Sequence, residues 1–285
     1  MTAFPSWLPT HSTHFPPFLT PSAVPIRSGS VPALFYDHGS AIMRDAVRGL
    51  DGLGDGMAID RPGRPEDLPA AEVLWARWAL VAVLEATAEA EARGGRRSGT
   101  WIDGQGLHLD DRGCTWWTFQ PVGEGRYLLY GEDESSAVKW HEPSIDMLAQ
   151  GPDWLPYERL RRLLEGWELG CVYWYENGAW ARAPYPDELD DDGLDCGMSR
   201  FAVREETLRE LIASERGLPR GRADGLLAAA EARSLTSAEV REVLDAAAAG
   251  DEYVPADREA MLRSLELAAL TAPVSVTPAP SNHPG

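Results

Sequence analysis

The stretch CVYWYENGAWARA, residues 171–183, decides the fold class. Its two halves alternate in character, and Asn177-Gly178 between them supplies the two residues that accept positive φ in a type I′ turn. A two-residue loop there pairs Glu176 with Ala179, Tyr175 with Trp180, Trp174 with Ala181 and Tyr173 with Arg182. Val172 and Trp174 then oppose Ala183 and Ala181, a large-against-small set suited to packing under a helix. The other face carries Tyr173, Tyr175, Trp180 and Arg182. Rings with polar tips beside a guanidinium fit either cross-strand packing or a recognition surface.

The same period of two extends upstream. Residues 107–109, 114–121 and 126–130 read as strands, parted by turn sequences at 110–113 and 122–125. A helix is expected at 156–165, with Leu160, Leu163 and Leu164 as its apolar stripe. Further upstream the pattern turns helical over 69–93, with Pro69 in the first turn and Gly94-Gly95 as the stop. Between Val73 and Leu84 only Arg77 is charged, so this half should be a central, buried helix. A short helix is also expected at 40–50. Downstream, helices are expected at 204–215, 223–233, 237–249 and 257–270. Thr236 and Glu239 have capping-box spacing, and Pro255 suits the start of the last helix.

The reading is an α+β fold: a central antiparallel sheet at about 101–183, packed by the 69–93 helix and followed by a C-terminal helical bundle. Residues 1–32 hold seven prolines among apolar residues such as Phe4, Trp7, Phe15 and Phe18. They are read as an extended arm lying on the body, with a polyproline ligand as the alternative. Residues 33–200 form an acidic, Trp-rich α+β domain and 201–271 a C-terminal helical region. The tail, 272–285, is expected to be disordered.

Charge excludes several functions. With 26 Lys+Arg against 45 Asp+Glu the net charge is −19, the wrong sign for a general nucleic-acid binder or for an anionic membrane surface. The longest uncharged stretch in a helical pattern, 78–84, is far short of a membrane span. The N-terminal stretch lacks the basic region of a secretory signal, and three scattered cysteines suggest reduced thiols in a soluble, cytoplasmic protein. The charge is also unevenly placed. Residues 101–200 carry −12 of it together with eight of the eleven tryptophans.

Several groups of residues are candidates for chemistry. Glu188, Asp190 and Asp192 precede Gly193 as in a calcium loop, but Ser199 stands where the closing Glu belongs. Gly52, Gly54 and Gly56 alternate with Asp51 and Asp55, which would repel phosphate. His11 and His14 have no acidic or Cys partner nearby in sequence. Cys114, His108, Asp103, Asp110 and Asp111 are the residue types of a thiol-based site, without the helix dipole that activates a thiol. Asp103, Glu132, Glu134, Glu142 and Asp146 lie among tryptophans, as in carboxylate-dependent sugar hydrolysis. Residues 211–226 have helix-turn-helix spacing, against which stand Arg216, Gly221 and Gly225.

The leading expectation is a non-enzymatic interaction module. Its acidic, aromatic sheet surface would bind a basic partner protein through Tyr173, Tyr175, Trp180, Arg182, Trp116, Trp140, Asp190 and Asp192. An immunity-type neutraliser or a regulatory adaptor would fit this description. The alternative is a carboxylate hydrolase, and the third reading is a transcription regulator using Arg220 and Arg222. No cofactor or metal is expected, and the oligomeric state is not specified by the sequence.

Overall fold

The structure is a computed structural model that describes residues 58–87, 97–214, 217–247 and 255–271. Its strands are β1 (Gly99–Asp103), β2 (Gly106–Asp110), β3 (Trp116–Gly123), β4 (Arg126–Glu132), β5 (Cys171–Glu176) and β6 (Ala179–Arg182). Its α-helices are α1 (Ala71–Glu85), α2 (Tyr157–Glu165), α3 (Asp195–Ala202), α4 (Arg204–Ala213), α5 (Arg220–Glu231), α6 (Ser237–Ala247) and α7 (Pro255–Ala268). The strands form one antiparallel meander in the order β1-β2-β3-β4-β5-β6. The fold is thus α+β with C-terminal helices.

Helix α1 organises these elements. Eleven of its fifteen residues are buried, and it packs against β1, β2, α3, α4, α5 and α7. A helix apolar on every side is stable only when covered on every side. One face of the sheet supplies part of the cover through Ile102, Leu107, Trp117, Phe119 and Leu129. The helices supply the rest, with Trp78 stacked on Phe201 at 4.7 Å. The one charge in its buried half, Arg77, is answered by Glu231 of α5 at 2.7 Å and by the Ala202 carbonyl of α3. The same core cluster continues into Leu208, Leu227, Leu244 and Leu265, so the hydrophobic core runs unbroken across residue 200.

The hairpin register is the one the sequence specifies: Glu176↔Ala179, Tyr175↔Trp180, Trp174↔Ala181 and Tyr173↔Arg182. Asn177 and Gly178 both take positive φ, 55° and 81°. The second face of the sheet is also covered. Leu128, Tyr130, Val172 and Trp174 pack under Val138, Met147, Leu148, Leu155, Leu160 and Leu169.

Two boundaries differ from expectation. Helix α1 ends at Glu85 rather than near residue 93, because Ala86 turns to extended backbone. Glu85, its last residue, accepts the backbone N–H of Thr100 at 3.1 Å. Helix α3 occupies a stretch, 195–202, for which the sequence predicts no helix. Gly197, at φ 89°, lets it approach the sheet. A side chain there would meet Leu109 and the Trp117 indole nitrogen at 3.0 and 3.1 Å. The expected arm (1–32), the 40–50 helix, the Gly94-Gly95 stop and the 272–285 tail lie outside the described residues.

Because α1 is clamped on all sides, truncating its most enclosed ring should be costly. Trp78→Ala is expected to lower unfolding free energy by about 3–5 kcal/mol, read by denaturant titration. A loss below about 1 kcal/mol would contradict the central position of this helix.

Candidate functional site

The loop between β2 and β3 and the end of β4 frame a recess of about 450 Å³ lined by Asp110, Arg112, Cys114, Thr115, Trp116, Glu132 and Glu134. The loop is shaped by its own carboxylates. Asp110 accepts the N–H of Arg112 at 2.7 Å, and Asp111 those of Gly113 and Thr115 at 2.7 and 3.2 Å. Trp116 stands edge-on to Tyr130 at 6.0 Å, and Arg159 of α2 lies 5.3 Å over the Tyr130 ring.

Lys139, the chain's single lysine, ties this recess to a second feature. Its ammonium is paired with Glu132 on the recess wall and donates to the Trp167 carbonyl at 2.6 Å. It also lies 5.9 Å from the Trp140 ring centroid. Trp140 and Trp167 lean on each other at 5.3 Å with 30° between their planes. Both are open to solvent, at 68% and 59% exposure.

Trp167 is held there by helix α2. Its N–H donates to Leu164 O at 3.1 Å and the Glu168 N–H to Leu163 O at 2.9 Å, the paired bonds of a Schellman cap. The cap requires positive φ, and Trp167 adopts 58°. Glycine takes that conformation freely, whereas a side chain there costs about 1–2 kcal/mol.

Thiol chemistry finds little support. The Cys114 thiol is pushed up to about 11 by the Glu134 carboxylate beside it. That of Cys196 is pushed up to about 12 by burial. Neither is poised as a nucleophile near neutral pH. Asp133, by contrast, lies below the usual carboxylate range: burial raises it, and hydrogen bonds from Thr115 and Ser135 outweigh that.

Most of the aromatic surface expected from sequence is core, which is a correction. Tyr173, Tyr175 and Trp180 are 0%, 6% and 8% exposed. Their polar tips reach into the chain that covers them. Trp180 Nε1 donates to Pro69 O at 2.7 Å, and Tyr173 Oη lies 2.7 Å from Gly63 O and from Asp192 Oδ2. Arg182 donates to Gly63 O at 3.0 Å and lies over the Tyr185 ring. Substituting Tyr175 or Trp180 therefore perturbs the core before it reports on binding.

Asp192 is likewise internal, at 1% exposure. It accepts the N–H groups of Gly63 and Leu194 at 2.9 and 3.2 Å, and burial raises its pKa against those bonds. Glycine at 63 is required by the close approach, since a Cβ would fall 2.6 Å from a Leu194 methyl. Asp190 is exposed, Trp116 is half-buried in the recess wall, and Trp140 is open.

The remaining candidates are dispersed. Glu134, Glu142 and Asp146 are exposed, and only Glu132 and Glu134 of that group share the recess. Arg220 pairs with Glu205 at 2.9 Å and Arg222 with Glu242 at 2.8 Å. His11, His14 and the glycines at 52–56 lie outside the described residues. The sequence reading passed over Trp167 and Lys139. The run Glu165-Gly-Trp-Glu168 after an amphipathic helix was the available signal, a large apolar residue at a cap amid polar ones.

His108 bonds Asp103 directly, and its other ring nitrogen faces Thr118 rather than Cys114. Its Nε2 lies 3.0 Å from Asp103 Oδ1 and its Nδ1 3.2 Å from Thr118 Oγ1, with the ring stacked on Trp101 at 5.1 Å. Thr118 is 4% exposed, so its hydroxyl is closed to a substrate. Burial lowers the His108 pKa despite the Asp103 carboxylate, and Arg159 and Arg97 add to the lowering. The unfolded chain therefore takes up this proton first as pH falls through about 6.5, and the folded state loses stability from there downward. His108→Gln should flatten the decline in melting temperature between about pH 7 and 5.5, and an unchanged slope would contradict the assignment. The chain matches no family model, no curated protein and no solved structure.

Proposed function

We propose that the protein is a non-enzymatic interaction module that takes a basic partner protein onto the flank formed by the carboxylate-lined recess and the exposed tryptophan pair. The observation that carries this reading is the pairing of Trp140 and Trp167, both more than half exposed, beside a recess walled by Asp110, Glu132 and Glu134. Aromatic anchors surrounded by charge are the composition of protein interfaces. The −12 charge of residues 101–200 would steer a cationic partner toward it. A neutraliser of a cationic protein or a regulatory adaptor would use such a surface.

A carboxylate-dependent hydrolase acting on carbohydrate has one observation in its favour, since Glu132 and Glu134 share the recess with Trp116. Against it, Lys139 already holds Glu132, and Glu134 is exposed to solvent rather than set opposite a second acid across a closed cleft.

The interaction reading predicts that immobilised Arg- and Lys-rich peptides capture the protein and acidic peptides do not. Capture should fall at least about tenfold between roughly 0.05 and 0.5 M salt. Glu134→Gln should weaken it. Absence of capture, or capture indifferent to salt, would overturn the reading.

A further inference from the structure

A solvent-exposed tryptophan in left-handed backbone is a poor choice for stability. Trp167 combines φ 58° with 59% exposure, and its main packing partner, Trp140, is more exposed still. Glycine would close the same Schellman cap without strain. Arg233 closes α5 with the same paired bonds at φ 52°, so a side chain in such a cap is not itself unusual; what sets Trp167 apart is a large indole, 59% exposed, held in contact with a second exposed indole.

We infer that the Trp140–Trp167 pair is a stacking platform for an arginine guanidinium of the basic partner. This inference rests on the reading above and names the group that the flank recognises. The two rings lie 5.3 Å apart with 30° between their planes, and both residues are more than half exposed.

The electrostatics favour a cation on that platform. Lys139, beneath it, is 10% exposed at its side chain and already neutralised by Glu132. The two arginines nearest in sequence to Trp167 are turned elsewhere, Arg161 over the Tyr157 ring and Arg162 toward Glu158. Exposed Glu142, Glu165 and Glu168 flank the two tryptophans in sequence, and the Glu168 carboxylate folds back over Gly166. A guanidinium is flat and weakly hydrated, so it can stack on an indole while its edge N–H groups reach a carboxylate. An ammonium offers only a hydrated point charge.

The test is calorimetric titration of the full chain with a short peptide carrying two arginines spaced by glycine. The same peptide with lysine or with citrulline in their place provides the comparison. The arginine peptide should bind about tenfold tighter than the lysine one, and the citrulline peptide should not bind. Trp167→Gly should weaken arginine binding about tenfold while raising the melting temperature by about 2–4 °C. Trp140→Ala should weaken it similarly.

Citrulline binding as well as arginine would make the platform a neutral stacking surface and overturn the inference. Unchanged binding by both variants, or a lower melting temperature for Trp167→Gly, would also overturn it. Equal binding of arginine and lysine peptides removes this inference but leaves the wider reading standing. Failure of every basic peptide removes both.

Discussion

Everything in this fold depends on keeping one helix out of water. Helix α1 has no hydrophilic side to turn outward, so the sheet must cover part of it and the C-terminal helices the rest. Burial of apolar surface is worth roughly 25 cal/mol per Å², and α1 collects that gain from eleven of its fifteen residues. The consequence is a single core on both sides of residue 200. Polar atoms inside it act as fasteners. Trp75 Nε1 donates to Ala268 O at 2.8 Å, Trp117 Nε1 to Cys196 O at 2.9 Å, and Arg77 bridges α3 and α5.

This constraint redistributes the aromatic residues. With α1 against one face of the sheet and residues 138–169 against the other, the strands have little surface left to offer a partner. The tryptophans of residues 101–200 are accordingly mostly structural. Trp140 and Trp167 escape because they sit on turns at the rim, Trp140 ending a 3-10 turn and Trp167 capping a helix. Lys139 couples this rim to the recess by pairing with Glu132. Acidity and exposed aromaticity thus coincide on one flank, through the one lysine the chain possesses.

The fold class and the hairpin register were legible in the sequence because they rest on local rules, period-two alternation and an Asn-Gly turn. The buried character of α1 was legible for the same reason: twelve positions, 73–84, with a single charge leave little choice. The side of the hairpin that meets the helix was not legible. Tyr173, Tyr175 and Trp180 look amphipathic in sequence, and only tertiary structure supplies the carbonyls of Gly63 and Pro69 that satisfy the tips of Tyr173 and Trp180. Asp192 misled for the same reason, since an acidic run reads as solvated until one of its members is found gripping Gly63. Trp167 lay beyond periodicity altogether, because its significance comes from backbone conformation and exposure.

The tryptophans fall into a structural group and an exposed pair, Trp140 and Trp167, where the proposed partner would bind. The most direct measurement is a two-dimensional NMR spectrum of the tryptophan indole N–H groups, recorded as an arginine-rich peptide is added. The indole signals of Trp140 and Trp167 should shift progressively, while those of Trp75, Trp117 and Trp180, bonded to backbone carbonyls in the core, stay in place. Shifts confined to the core indoles, or none at Trp140 and Trp167 while the peptide binds, would contradict it.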